Sequence, residues 1–267
     1  YGQHKALSQH AAKGGSDAKD KIAAIRSQID GDFSSLEDVE SRLGEILAYS
    51  DSELNARKRI NSSLKILKAN WQALVEIAGK EPADEANERH DRLIGYVLNG
   101  IVHVGDSSNL ILDPDLDSYY IMDMTLINLP RTLDHLQQIL HFIQSIPAED
   151  AGLSKSHTIE LANFIFQLKD DLSRINGDVQ TAVNEDKKFY GILPSLQREL
   201  PISAREFGSS LEKLIAALET ALDEKSAESW LRIEVNLVNS GLEALDKTSI
   251  FWTKAAGELE KLLDIRL

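Results

Sequence analysis

From an Asp113-Pro114 step onward, Leu116, Tyr119, Met122, Leu126, Leu129, Leu133, Leu136, Leu140 and Ile143 recur at spacings of three and four. That spacing lays one apolar stripe along a helix of about 30 residues. A helix of that length cannot bury its stripe alone, so the chain must supply other helices to cover it. The start of this helix is read from its chemistry. An Asp side chain accepts from orphan backbone N–H groups, and Pro at the first helical position lacks an N–H to satisfy. Asp113 is therefore expected as the structural cap and Pro114 as the entry. Asp115 and Asp117 fall in the first turn, where the helix dipole favours negative charge. Pro130, inside the stripe, is expected to kink it.

The same period runs through most of the chain. Residues 1–13 read as a short helix stopped by Gly14-Gly15, with Ser16 or Asp17 capping the next. Ile22, Ile25, Ile29, Phe33, Leu36, Val39, Leu43 and Ile46 keep helical spacing, weakened at Gly31 by about 1 kcal/mol relative to Ala. A third helix is expected from Ser50-Asp51-Ser52, with Ile60, Leu64, Leu67, Trp71, Leu74 and Ala78 on one face. Gly79 to Pro82 ends it, and Asp84 caps a fourth that is apolar on two adjacent stripes. After Ile146-Pro147, Ser154 or Ser156 caps a helix carrying Ile159, Ile165, Leu168, Leu172, Ile175, Val179 and Val183. Gly191, Pro194 and Pro201 suggest an irregular connection before helices near 203–223 and 226–267. No strand alternation and no internal repeat is visible. The expected fold is all-α, an elongated antiparallel helical bundle. It is one domain over residues 1–267, built as two stacked four-helix-bundle-like modules sharing long helices.

Composition narrows the chemistry. A net charge of −14 argues against nucleic acid as a partner, since affinity for phosphates rests on Lys and Arg. The absence of cysteine removes disulfides, thiolate metal sites and cysteine catalysis. The most apolar run, Leu93 to Gly105, is about half the length of a membrane span. Tyr1 opens directly on a helical pattern, and Leu259, Leu262, Leu263 and Leu267 leave the chain in mid-helix. This is the pattern expected of a fragment excised from between continuing helices. No Gly-rich phosphate loop, Gly-x-Ser-x-Gly elbow or His-Glu-x-x-His occurs, so no catalytic residue is assigned.

Metal is not expected either. Asp113, Asp115 and Asp117 imitate the opening of a calcium loop, but its sixth and twelfth positions, which require Gly and Glu, hold Ser118 and Met124. None of the seven histidines has Glu three residues before it, as a di-iron bundle demands. No cofactor is implied. Tyr96, Asn99, His103 and Ser107 form one polar stripe on an otherwise apolar helix, which either faces water or lines a ligand cavity. Tyr120, Asp123 and Arg131 run beside the long apolar stripe, placed either to meet a polar ligand or to tie the helix to its neighbour. Asn99, His103, Tyr120, Asp123 and Arg131 are thus the candidate ligand-binding residues. Arg57-Lys58-Arg59 is a solvated helix turn, unless one member turns inward to clamp a carboxylate.

The run SSNLILDPDLDSYYIMDM (residues 107–124), followed by Leu129-Pro130, resembles a signature of bacterial transmembrane signalling receptors. The likeness covers residues 103–130. It extends more loosely to Gln3-His4-Lys5, where similar receptors have Gln-His-Arg. In that family the signature lies in a helical extracytoplasmic sensor region between two membrane-spanning helices of a sensor histidine kinase or a chemoreceptor. The resemblance implies a periplasmic, ligand-sensing, non-enzymatic module of an inner-membrane protein. Its partners would be a small-molecule ligand of unknown identity and, in the full-length receptor, a second copy in a homodimer. The membrane would be reached only through flanking helices that the chain does not contain. Ligand binding would be relayed to the membrane by helix displacement. A methyl-accepting chemoreceptor is the close alternative, and a purely structural or interaction bundle is the other.

Overall fold

The computed structural model describes residues 4–5, 8, 18–78, 80, 82–146, 153–190, 193–223 and 227–266. The fold is all-α: 90% helical, with no strand among the described residues. The Gly14-Gly15 stop, the Ser16/Asp17 cap, Gln3, Gly79, Pro147 and Gly191 lie outside the described residues. The chain divides into two compact units, Tyr1–Ile111 and Leu112–Leu267. The division falls within a short 3₁₀ turn, Leu110–Leu112.

The first unit contains α1 (Ala18–Leu43), the short α2 (Asp51–Ala56), α3 (Leu64–Ile77) and α4 (Ala83–Ser107). Its core joins Ile29 and Phe33 of α1, Leu64, Leu67, Trp71 and Leu74 of α3, and Leu93 of α4. Trp71 Nε1 donates to Asp30 Oδ1 at 2.9 Å and Lys68 pairs with Glu37, so the residue number rises on α1 as it falls on α3. These helices are antiparallel. The single helix expected from Ser50 onward is instead two, with a 3₁₀ turn at Ile60–Ser62. Ser50 does cap α2, accepting from Glu53 N. The helix then stops because Arg59 N bonds Leu54 O and Lys58 N bonds Asn55 O, with Lys58 in the left-handed region at φ 57. This is the Schellman closure that usually carries Gly. The turn after α1 repeats it: Tyr49 N bonds Gly44 O, Ala48 N bonds Glu45 O, and Ala48 has φ 49. At the start of α4 the N-cap position is held by Pro82 rather than by Asp84.

The second unit is a four-helix bundle. One arm consists of α5 (Leu116–Asp123), a π turn at Met124–Asn128 and α6 (Leu129–Ser145). The others are α7 (Lys155–Glu185), α8 (Pro194–Asp223) and α9 (Ala227–Arg266). Each packs on the next, and α9 returns to α5 and α6. Cross-helix pairs fix the directions. Lys213–Glu243, Glu206–Lys247, Glu199–Lys254 and Ser195–Glu258 step down α8 as they step up α9. At mid-bundle Phe207 and Phe251 stack with centroids 5.2 Å apart. α8 begins at Pro194 and runs through Pro201, where the sequence suggests an irregular connection. Leu196, Leu200, Ala204 and Phe207 are all buried along one stripe, and that burial outweighs the roughly 3 kcal/mol cost of an internal Pro.

Two expectations for the signature segment are corrected. The helix opens at Leu116 with Asp115 as N-cap, not at Pro114 with Asp113 as cap. A residue before Pro is pushed out of helical geometry. Asp113 accordingly turns its Oδ1 to Asp115 N at 2.9 Å, closing a turn that precedes the helix. The long stripe is also not continuous. Leu116 is 47% exposed while Asp117 and Ser118 are fully buried. The apolar positions from Leu116 to Ile143 step by fewer than 3.6 residues on average, so at roughly 100° per residue Leu116 drifts nearly opposite the buried Leu136 while Ser118 stays on its face. Within the arm the helix widens into a π turn, where Leu129 N bonds Met124 O five residues back. The widened turn ends at Asn128, two residues before Pro130, which cannot donate.

Candidate functional site

The richest polar grouping of the second unit lies along the seam between its first arm and α7. On α7, Leu161, Phe164, Leu168, Asp171, Ile175, Asp178 and Ala182 are buried at alternating spacings of three and four. That is a heptad seam facing the neighbouring helices, and two of its positions, seven apart, hold carboxylates. Opposite them on the first arm stand Asn128, Arg131 and His135.

Arg131 Nε and Nη2 both donate to Asp171 Oδ1, at 3.2 and 2.9 Å, and His135 Nδ1 donates to Asp171 Oδ2 at 2.6 Å. The Asp171 side chain is 1% exposed, so its charge is answered on both oxygens. One turn away, Asn128 Nδ2 donates to Asp123 Oδ2 at 2.8 Å and to Asp178 Oδ2 at 2.7 Å. A single amide therefore bridges two carboxylates. Burial pushes the Asp178 carboxyl up to about 6, and the Asp123 charge adds to this; the Asn128 hydrogen bond and the Arg174 charge act the other way. Asp178 thus changes charge in mildly acidic water.

Of the sequence candidates, Asp123 and Arg131 belong to this seam, each engaged with a protein partner. Tyr120 lies half-buried beside them, its ring edge-on to Tyr119 with centroids 5.5 Å apart. Asn99 and His103 belong to the other unit and take no part. Asn99 is exposed, whereas His103 is fully buried, so the stripe they form does not share one environment. His103 Nε2 donates to Leu47 O at 3.1 Å and Ala48 O at 2.9 Å. Two carbonyl partners require Nε2 to carry the proton. His103 therefore clamps the left-handed turn at Ala48, with Tyr49 edge-on to its ring. In the basic cluster, Arg59 does turn inward, pairing with Asp106 at 2.7 Å.

Sequence reading missed Asp171, Asp178, Asn128 and His135. The signal was present: acids at heptad core positions seven apart must find partners when buried. It also missed a second grouping, in the first unit, around His4 and His90. Their rings stack with centroids 5.3 Å apart, and His4 Nδ1 lies 3.0 Å from His90 Nε2. Arg26 Nε donates to His4 Nε2 at 3.0 Å. An open groove of about 610 Å³ borders α1 here, lined by Ile22, Ala23, Arg26, Ser27 and Asp30. Among the described residues no three metal-ligating side chains converge, and no helix is long and apolar enough to cross a membrane.

Fold and seam define an all-α protein with a four-helix bundle whose interior carries paired charges and a bridging amide. No family model, curated protein or solved structure matches the chain.

Proposed function

We propose that the chain is the extracytoplasmic sensor region of a membrane-anchored bacterial receptor, a sensor histidine kinase in the first instance, with no catalytic activity of its own. The observation that carries this reading is the joint placement of the receptor-like signature and the polar seam. Asp123 lies in the signature, while Asn128 and Arg131 follow within eight residues of it and reach across to Asp171 and Asp178 on α7. A small polar ligand that exchanged for one of these internal partners would favour one packing of the first arm over another. The shift it produces is bounded by its differential affinity for the two packings. The displaced helices would then carry the change toward the membrane. A chemoreceptor with the same sensor unit would operate identically up to that point.

A structural or interaction bundle is the second reading. It is favoured by the mutual satisfaction of Arg131, Asp171 and His135, which leaves no charge in that trio waiting for a ligand. A thermal-shift screen with amino acids, small carboxylates and inorganic oxyanions separates the two. A ligand that binds only the native state raises its apparent stability by RT ln(1 + [L]/Kd). The sensor reading expects at least one such compound, with its shift abolished in Arg131→Gln or Asn128→Ala. Shifts that survive both variants place the ligand elsewhere, and a silent screen favours the structural bundle.

A further inference from the structure

The hydrogen bonds around His4 and His90 can be assigned a direction without ambiguity. His90 Nδ1 lies 2.8 Å from Ala86 O. A carbonyl only accepts, so His90 carries its proton on Nδ1 and its Nε2 offers a lone pair. His4 Nδ1, 3.0 Å from that lone pair, must be the donor. The His4 Nε2 is then an acceptor, which is what the Arg26 Nε–H requires. The result is one series of donors, Arg26 to His4 to His90 to Ala86, joining α1, the segment bearing His4 and Lys5, and α4. Both rings are neutral, and both are in the Nδ1–H form.

We propose that this series is a proton-sensitive latch that holds the segment bearing His4 and Lys5 on the first unit and releases it in acid. The proposal is independent of the ligand reading of the second unit. A proton added to His4 leaves two donors facing each other at Arg26. A proton added to His90 leaves two donors facing each other between the rings. Neither ring can turn aside, because His4 is fully buried against Trp71, edge-on at 4.9 Å, and His90 is 3% exposed. The groove beside Arg26 and Asp30 gives water and protons a route to one end of the series.

The neighbouring charged side chains act in defined directions. Arg26 on α1 opposes protonation of His4, and Lys5 on the same segment opposes it at His90. Asp91 on α4 favours it at His90 but is itself paired with Lys5. Asp30 on α1 is engaged by Trp71 Nε1. Burial is the largest influence on both rings: it lowers His4 to about 3, with the His90 and Arg26 charges adding to it, and His90 to about 4. The docked state therefore binds neither proton over a range in which the released state binds both. Between the ordinary histidine value of 6.5 and about 4, the docking equilibrium falls about tenfold per pH unit for each ring, about a hundredfold for the pair.

The test uses the full chain labelled with 15N-histidine and 5-fluorotryptophan. At pH 7.5 the imidazole nitrogen shifts should show the Nδ1–H form at both His4 and His90. On acidification the Trp71 fluorine resonance and the His4 signals should change together, with a midpoint between pH 4 and 6.5 and a slope approaching two protons. Helical circular dichroism should be retained through the change. In His90→Gln, whose amide oxygen still accepts from His4, the slope should drop to one and the midpoint should move to lower pH. An Nε2–H form at either ring overturns the assignment. A one-proton slope in the unsubstituted chain overturns the pairing. Helix loss in step with the Trp71 signal overturns the latch in favour of ordinary acid unfolding.

Discussion

Replacing Asp178 by Asn should make the protein more stable at neutral pH, although it removes a charged partner from a buried hydrogen bond. Asp178 is 7% exposed, and its carboxyl titrates near 6 in the folded chain against an ordinary 3.8. A folded-state value raised in this way is a cost of keeping the group ionised. The cost is fully present above pH 6, shrinks as the pH falls, and is absent below 3.8. From 3.8 to about 6 it amounts to about 3 kcal/mol. An amide at this position would keep an oxygen for the Asn128 amide at the present 2.7 Å while carrying no charge for burial and Asp123 to penalise. Asp178→Asn should therefore gain up to about 3 kcal/mol at pH 7.5 and little at pH 4. Urea unfolding of both proteins at the two pH values, fitted with a separate transition for each unit, measures the gap. A variant no more stable than the parent at pH 7.5, or a gap that does not close in acid, would refute the reasoning.

Three further substitutions test other parts of the fold. Lys58→Gly removes a side chain from φ 57 and should stabilise the first unit by about 1 kcal/mol in urea titration; a loss would show that Lys58 makes a contact worth more than its strain. Gly241→Ala places a methyl 2.6 Å from Leu140 Cδ2 and 3.0 Å from its Cγ, and should cost about 1–3 kcal/mol. Adding Leu140→Ala should recover part of that loss, and strictly additive costs would contradict the close approach of α6 and α9. His103→Leu leaves the Leu47 and Ala48 carbonyls without their donor, for a loss of about 1–3 kcal/mol. Hydrogen exchange at the Ala48 and Tyr49 amides should quicken in the same variant, and unchanged exchange would argue against the clamp.

Periodicity made the helices legible, because burial decides where they lie and burial is written in the spacing of Leu, Ile and Phe. Ser154 is a good instance: its place before an apolar run marks it as a cap, and it does accept from His157 N while His157 returns a bond to Ser154 N. Breaks were harder to read. The turn at Lys58 carries none of the Gly that normally announces a left-handed residue, so α2 and α3 read as one helix. The same holds for the π turn, which leaves no compositional mark beyond the nearby Pro130. The candidate seam was half visible. Asp123 and Arg131 stand out beside an apolar stripe, but the residues that complete the seam lie far along the chain on α7, Asp171 being 40 residues from Arg131. Local spacing does not encode such a separation. Asp171 and Asp178 are hidden among the apolar residues of their own helix. His4 and His90 are 86 residues apart, and only the fold brings them together.

The π turn at Met124–Asn128 acts as a phase slip between two otherwise regular screws. Each α-helical residue advances the helix by roughly 100°. One residue too many in the turn therefore leaves α5 and α6 rotated against each other by about that angle. On the N-terminal side of the turn Asp117 and Ser118 are buried while Leu116 is 47% exposed. Removing one residue from the turn, such as the 41% exposed Ile127, would restore an unbroken screw. The widened turn is thus where the first arm changes its winding, and of the seam residues Asn128 lies in it and Arg131 just beyond it.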